Sequence, residues 1–418
     1  MGMKGPEAPV PGIVRTILSR LKGFGFEAYV VGGAVRDMVL GRNPTDWDVA
    51  TSASSVEVRD LFPNLTSFSL QHGALTLVHE GRHYEVSTFR GALPTLEDDL
   101  AHRDFTVNAM AWELEDKKLI DPWGGCRDVA LKLVRAVGIP EDRFREDPLR
   151  ILRALRISCE LDFGIHRKTR HAMSGMAPML SMVARERIRD ELLKILLSKK
   201  PSLGFREMLR TNLLKEIVPE LQTIFGHTME TVDRVPPNAA LRLAALFHDI
   251  AKPGVKDGHE IEEARIAEEV MRRLRFSERM ILQVAHLVRH HTDDTQYASS
   301  WNDGEVRRFV RELGPEHLEA FFCLRRADFE SRGKDTRPLF ELEERARIQV
   351  IAGFPCRVQD LKVDGRKVME ICGTEAGPEV GRILGALLEE VLDHPEWNTE
   401  EKLTELLEKM SRDRAMDR

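Results

Sequence analysis

Aromatic residues are scarce in this 418-residue chain, at 6%. Periodic apolar stripes dominate after residue 146, so a mostly helical body is expected there. No apolar run is long enough to span a bilayer. The opening MGMKGPEAPVPG has no apolar signal core, and Met1-Gly2 lacks the downstream hydroxyl residue of a myristoylation signal. Nothing therefore points to a membrane or to secretion. Cysteines are few and odd in number: Cys126, Cys159, Cys323, Cys356 and Cys372, with no C-x-x-C pair. They read as reduced thiols of a cytoplasmic protein and not as disulfides or a zinc site. A positive excess is also missing. The formal net charge is −6, which argues against a chain coated by nucleic acid along its length. The local exception is Arg150–Arg210, with 14 Lys and Arg against 6 Asp and Glu. That stretch could meet a phosphate backbone or form a solvated, charged helix pair.

What is present is an ordinary globular composition, 42% apolar and 31% charged, with room for about two to four domains. Residues 13–25 have amphipathic helical spacing. "EAYVVGG" reads as a buried strand broken by glycines, and "AVRDMVLG" returns to helical spacing. "DWDVAT", "ALTLVHE" and "HYEVSTFR" read as short strands. From Pro148 the pattern becomes helical, the proline suiting a first helical position, with breaks at "RVPPNA", "AKPGVKDGHE" and "IAGFPCRV". The final "EKMSRDRAMDR" is expected to fray. The fold class is thus α+β: a small sheet domain followed by an all-helical remainder.

Asp46 and Asp48 flank Trp47. On a strand, both carboxylates would face one side, roughly 6–7 Å apart. Such a pair repels itself unless a cation lies between, and hard oxygen ligands suit Mg²⁺ bridging phosphates. Gly32 and Gly33 would let backbone N–H groups approach a triphosphate, and Arg36 could grip its terminal phosphates. The bland alternative is a glycine turn and a polar strand end. The whole stretch, "GGAVRD…PTDWDVAT", resembles the nucleotidyltransferase signature of the DNA polymerase β superfamily, and more closely that of class II tRNA nucleotidyltransferases and bacterial poly(A) polymerases. The resemblance implies nucleotidyl transfer from an NTP to a hydroxyl, with Asp46 and Asp48 as catalytic metal holders. Glu85, in "YEVSTFR", is a possible third carboxylate on a neighbouring strand or an exposed residue of an alternating one.

"HRDFTVNAMAW" resembles the family's ribose-handling R-R-D-F-x-x-N-A motif, with Arg103, Asp104 and Asn108 matching and His102 replacing the first arginine. "REDPLRILRALR" resembles its E-D-x-x-R template, in which Asp147 and Arg150 select the base; Arg153 follows on the same segment. The chemistry can be argued directly. Aspartate accepts from an exocyclic amine, and arginine donates to a ring nitrogen or carbonyl. Cytosine and adenine both offer that pattern, whereas uracil and guanine offer the reverse, so no nucleic-acid template is needed. Read alone, Asp147 before Pro148 is equally a helix N-cap. In "ARERIRDELLKILL", Glu186, Arg187 and Asp190 or Glu191 are expected to brace the preceding helix through ion pairs.

"LRLAALFHDIAKPG" places His248-Asp249 at the end of an apolar helix, with His227, His259, His290, His291 and Asp328 outlying. The set resembles an HD phosphohydrolase domain, which implies His227, His248, Asp249 and Asp328 as ligands of a divalent metal. The resemblance runs from about residue 28 to 390. It divides the chain into a head (1–145), a helical neck with the base-selecting motif (146–205), an HD domain (206–335) and a helical tail that meets tRNA (336–418). The expected partners are tRNA and CTP, with ATP if the full CCA end is made; the sequence is silent on oligomeric state. A poly(A) polymerase or a protein-modifying uridylyltransferase would share the head, but the mixed charge of the last residues lacks the basic tail common in the former. A pure HD hydrolase with a dead head is disfavoured by intact Asp46 and Asp48. Full CCA-adding relatives carry a flexible loop after the "TFR" strand. Here only "GALPT" and Leu96 separate Arg90 from Glu97, as in enzymes that stop after two cytidines.

Overall fold

The computed structural model describes residues 9–69, 74–223, 226–251, 259–292, 294, 297 and 300–416. The chain forms two compact units, Met1–Gln222 and Thr223–Arg418. The first unit begins with α1 (Gly12–Gly23), whose Val14, Ile17, Leu18 and Leu21 are buried along one stripe. A seven-stranded sheet follows, in the order β3-β4-β5-β2-β1-β6-β7. Its strands are β1 (Ala28–Val31), β2 (Asp48–Thr51), β3 (Thr66–Ser69), β4 (Ala74–His79), β5 (Arg82–Thr88), β6 (Ala111–Glu113) and β7 (Lys118–Ile120). Only β2 and β5 run parallel. Between and after the strands lie α2 (Gly33–Val39), α3 (Ser55–Leu61), α4 (Leu96–Ala101) and α5 (Gly125–Ala130). Val31, Ala50, Phe89 and Ala111 pack with Leu96 and Leu100 of α4, which fixes that helix on the sheet.

Helices α6 (Pro140–Glu146), α7 (Arg150–Leu161), α8 (Arg167–Met176), α9 (Arg185–Leu196), α10 (Pro201–Arg210) and α11 (Leu213–Ile217) complete the first unit. The helical start expected at Pro148 is displaced. The first-position proline is Pro140 of α6. Asp147 is extended, at φ −148° and ψ 101°, and α7 begins at Arg150. An α-helical residue directly before a proline is disfavoured, so the chain breaks at Asp147 between two helices.

The second unit is helical throughout its described residues: α12 (Gly226–Arg234), α13 (Ala239–Phe247), α14 (His259–Arg273), α15 (Glu278–Arg289), α16 (Asp303–Leu313), α17 (Leu318–Ser331), α18 (Arg337–Ala352), α19 (Gly365–Cys372), α20 (Pro378–Asp393) and α21 (Glu400–Met416). Most of the break expected at "AKPGVKDGHE" lies outside the described residues. The expected fraying at the end is not seen: α21 stays helical to Met416, its first half held by buried Leu403 and Leu407. The mixed α+β class read from the sequence is the observed one. No helix among the described residues is long and apolar enough to cross a membrane.

Candidate active site and HD centre

Antiparallel pairing puts Val31 opposite Asp48, and parallel pairing puts Glu85 opposite Asp48 on the other side. Gly32 ends β1 at φ 72° and ψ −139°, a conformation that favours glycine. A Cβ there would lie 3.1 Å from Asp48 Oδ2 and 3.2 Å from Arg103 Nη1. The missing side chain is what lets carboxylate and guanidinium close over the turn. Asp46 departs from the expected strand geometry. It is an exposed residue of the bend before β2, and the strand starts at Asp48. Trp47 between them is buried, which anchors the bend. Burial and the facing Glu85, with Asp46 adding to them, push the Asp48 carboxyl up to about 6 against the pull of Arg103 and Arg90. Asp46 and Glu85 thus both bear on the Asp48 charge, and carboxylate oxygens are donors of the kind a divalent ion takes.

If Asp48 is a metal ligand, protons compete with the metal there. Below about pH 6 the apparent Mn²⁺ requirement for nucleotide addition should rise roughly tenfold per pH unit, and it should level off by about pH 7. A Mn²⁺ titration of the addition rate from pH 5 to 8 checks this; a flat requirement would mean Asp48 is not a ligand.

Arg36 folds back over Gly33, bonded to Asp37 Oδ1 through Nε at 2.9 Å and to Asn108 Oδ1 through Nη1 at 3.0 Å. Asn108 Nδ2 in turn donates to Asp104 Oδ1 at 3.1 Å, and Arg153 Nη2 lies 2.9 Å from Asp104 Oδ2. Burial works to raise Asp104, but Arg153, Asn108, Arg150 and the Phe105 amide outweigh it and hold the carboxyl at about 2. Arg103 Nε donates to the buried Asp99 at 2.9 Å. His102, in the place of the family's first arginine, rests its Nδ1 2.8 Å from the Asp98 carbonyl.

Arg150 donates through Nη2 to the His102 carbonyl at 3.0 Å and through Nη1 to Glu146 at 2.8 Å. With Arg153 on Asp104, it ties α7 to the 102–108 segment. Asp147 Oδ1 accepts from the Leu149 amide at 3.1 Å, a cap-like contact, and Oδ2 accepts from Arg187 at 2.9 Å. Asp147 and Arg150 thus do not share a helical face. Each carboxylate oxygen retains a further lone pair and Arg150 retains donors, so a base edge could still be read. The expected bracing from α9 comes from Arg187, and from Glu191, which accepts from Arg156 of α7 at 2.8 Å. Asp190 pairs with neighbouring Arg189, and Glu186 is exposed. Arg90 and Asp99 were not singled out from the sequence. Arg90 is lowered by burial and the nearby Arg103, and its backbone N–H donates to Asp99 at 3.1 Å.

In the second unit, α12 supplies His227, the end of α13 supplies His248 and Asp249, and α17 supplies Asp328. Ligand atoms of His227, His248 and Asp328 all lie within 4.8 Å of one another. His248 is fully buried, its Nδ1 on the Ala245 carbonyl and its Nε2 3.4 Å from Asp328 Oδ1, with no well-formed hydrogen bond among the described residues. A buried imidazole nitrogen beside carboxylates fits a metal ligand. Arg332 lies across the cluster, donating to Asp249 Oδ2 and Asp328 Oδ1 at 2.6 Å each, with Nη2 2.9 Å from His227 Nε2. Burial would raise Asp249, but the hydrogen bond with His227, then His248 and Arg332, keep it below the usual carboxylate range. His291 joins the cluster, 2% exposed, whereas the His290 ring lies tilted against His286, 4.5 Å away. Glu263 was missed. It lies one helical turn beyond His259 on α14, a spacing that could have revealed it. Burial, then Asp249, pushes its carboxyl up to about 9.

Family comparisons agree with this geometry. Residues 28–135 match the poly A polymerase head domain, 162–225 the probable RNA and SrmB-binding site of polymerase A, and 213–331 the HD domain. A CCA-adding enzyme of Lactobacillus delbrueckii subsp. bulgaricus is 31% identical over 408 residues, 94% of this chain and 96% of the relative. That of Leuconostoc mesenteroides is 40% identical over 212 residues, 47% of this chain and 53% of the relative. The structure of the Bacillus stearothermophilus CCA-adding enzyme in complex with CTP superposes with a TM-score of 0.78 at 28% identity, covering 96% and 98% of the two chains. With 31% identity sustained over nearly its whole length, the chain belongs to the class II tRNA nucleotidyltransferases of the CCA-adding enzyme family and carries an HD domain.

Proposed function

We propose that the enzyme adds cytidines from CTP to the tRNA 3′ end without a nucleic-acid template and stops after CC. The observation that carries the CC limit is the connection between β5 and α4. It is only residues 89–95, and it is tied down: the Arg90 N–H donates to Asp99, and the Leu93 N–H donates to Asp98 at 2.8 Å. Thr95 caps α4, and Pro94 adds stiffness. A pocket that must take cytosine and then the larger adenine needs a mobile element to reorient Asp147 and Arg150. So short and bonded a segment supplies none. The second reading, full CCA addition with CTP and ATP, is favoured by the relatives, which bear the name CCA-adding enzyme.

In this reading Asp46 and Asp48 would hold Mg²⁺, which supplies charge neutralisation on the triphosphate and activates the attacking hydroxyl. Gly32 and Gly33 give backbone access to the phosphates, and Arg36 grips them. Arg103, Asp104 and Asn108 orient the ribose. Asp147, Arg150 and Arg153 read and position the base. The basic stretch from Arg150 to Arg210 and the C-terminal helices meet the tRNA. Through His227, His248, Asp249 and Asp328, the HD domain would hold a divalent ion and hydrolyse phosphoesters. Incubating tRNA lacking its 3′ end with each NTP separately, then sequencing the products, tests the proposal. CC from CTP supports untemplated cytidine addition, a product still ending in CC with CTP and ATP together supports the limit, and a CCA end or long homopolymers from ATP would overturn it.

Arg150→Ala should lower the ratio of C to U incorporation by roughly tenfold to a hundredfold, more than it weakens triphosphate binding, because a paired base-reading donor is lost. Single-nucleotide kinetics with CTP and UTP check it. An unchanged ratio with a lower rate would leave Arg150 only its bond to the His102 carbonyl.

A further inference from the structure

We propose, resting on the reading of Arg150 as the base-selecting donor, that Arg143 is a positioning residue for base selection. It fixes the plane of the Arg150 guanidinium from the preceding helix. Arg143 belongs to none of the motifs read from the sequence.

The carbonyls at the end of a helix have no intrahelical donor. At the end of α4 two successive ones are taken from outside it. Arg143 Nη1 donates to the Ala101 carbonyl at 2.7 Å, and Arg150 Nη2 donates to the His102 carbonyl at 3.0 Å. The same two guanidiniums share one carboxylate. Glu146 Oε1 lies 2.6 Å from Arg143 Nη2, and Glu146 Oε2 lies 2.8 Å from Arg150 Nη1. Arg143 and Arg150 thus form a closed clamp, with the α4 carbonyls on one side and Glu146 on the other. The Arg143 side chain is only 14% exposed, and its Nε has no hydrogen-bond partner among the described residues. Its polar contacts therefore run through the two Nη atoms.

The clamp spans the break in the chain. Helix α6 ends at Glu146 and α7 begins at Arg150, with extended Asp147 between them. The Arg143 carbonyl also accepts from the Asp147 N–H at 3.4 Å and from Arg150 Nη1 at 3.2 Å. An arginine side chain has many rotamers, and freezing them when a base arrives weakens its reading. Bonds at both Nη atoms fix the planar guanidinium beforehand. Without Arg143, Glu146 loses its second cation and is held less firmly against Arg150. The connection before α4 joins the same assembly, because Asp99 and Asp98 of α4 accept the Arg90 and Leu93 N–H groups at 3.1 and 2.8 Å. Arg145, two residues on, is exposed and pairs with Asp142, so it serves as the control.

Single-nucleotide kinetics with CTP and UTP on tRNA lacking its 3′ end test this, with thermal melting of the same preparations. Arg143→Ala should lower the C to U ratio of kcat/KM by roughly tenfold. Arg143→Lys reaches the Ala101 carbonyl or Glu146 but not both, so its ratio should fall between those of Arg143→Ala and the parent. It carries the test if Arg143→Ala fails to fold. Arg145→Ala should keep the parent ratio. Combining Arg143→Ala with Arg150→Ala should lower the ratio no further than Arg150→Ala alone, because Arg143 acts through Arg150. A purely structural Arg143 would lower the melting temperature and the rate and leave the ratio where it was. A parent ratio in folded Arg143→Ala or in Arg143→Lys, additive losses in the double variant, or an equal loss in Arg145→Ala would each overturn the proposal. A ratio lowered by Arg150→Ala but not by Arg143→Ala removes the positioning role alone. A ratio unmoved by Arg150→Ala removes the base-reading role, and the positioning role with it.

Discussion

Replacing Asp48 by alanine should abolish nucleotide addition, by about a thousandfold or more, and leave the protein as stable as before. A metal-holding carboxylate supplies several kcal/mol of transition-state charge stabilisation, and each 1.36 kcal/mol is tenfold in rate. Stability should not suffer, because the Asp48 charge is unfavourable where it stands. Burial and the facing Glu85 already push its carboxyl up to about 6. Sites that must hold a cation commonly trade stability for that purpose. Asp46→Ala should be equally inactive with no change in stability, as its side chain is exposed. Any HD phosphohydrolase activity should survive both changes, because His227, His248 and Asp328 belong to the other compact unit. Single-turnover CMP addition, p-nitrophenyl phosphate hydrolysis and thermal melting on the same preparations check all three statements. Loss of both activities in a folded variant would contradict two separate sites.

Gly32→Ala should lower both activity and stability, for two distinct physical reasons. At φ 72° and ψ −139° an L side chain is strained, which costs about 1–3 kcal/mol. The new methyl would also stand 3.1 Å from Asp48 Oδ2 and 3.2 Å from Arg103 Nη1. One of them must move, and a displacement approaching 1 Å at a reacting centre costs about a hundredfold in rate. Gly33→Ala is the contrast. Its Cβ would meet the Arg36 guanidinium only at 3.5 Å, an ordinary contact, and no positive φ is involved. The expected outcome is a lowered melting temperature and at least a hundredfold lower turnover for Gly32→Ala, with the melting temperature of Gly33→Ala unchanged. Equal melting temperatures would remove the strain argument.

Much of this was legible before the fold. The run β1, glycine pair, α2, β2 follows from an apolar stretch, two glycines and a return to helical spacing. Strands β4 and β5 were readable as short strands, β5 by its alternation. Strands β6 and β7 were not, because three-residue strands are too short to show a period. The candidate site residues were read from motif chemistry, which carries no geometry. Asp46 lies in a bend because the strand begins only at Asp48. Asp147 lies between helices because Pro148 forbids an easy helical conformation before it. Arg90, Asp99 and Arg332 were invisible as site residues. Arg332 acts through Asp249, 83 residues away, and Arg90 and Asp99 through a bond across the β5–α4 connection that no motif covers. The pairing of Glu85 with Asp48 also depends on the register of β2 with β5, which no local pattern fixes.

If a β5–α4 connection this short and this bonded confines the pocket to cytosine, adenosine addition should fail. The most direct measurement supplies ATP alone to a tRNA already ending in CC and compares the rate with CMP addition to the same tRNA lacking those two residues. The account predicts efficient CMP addition and adenosine incorporation slower by at least a hundredfold. Single adenosine incorporation at a rate comparable to that of cytidine would contradict it and make this a complete CCA-adding enzyme.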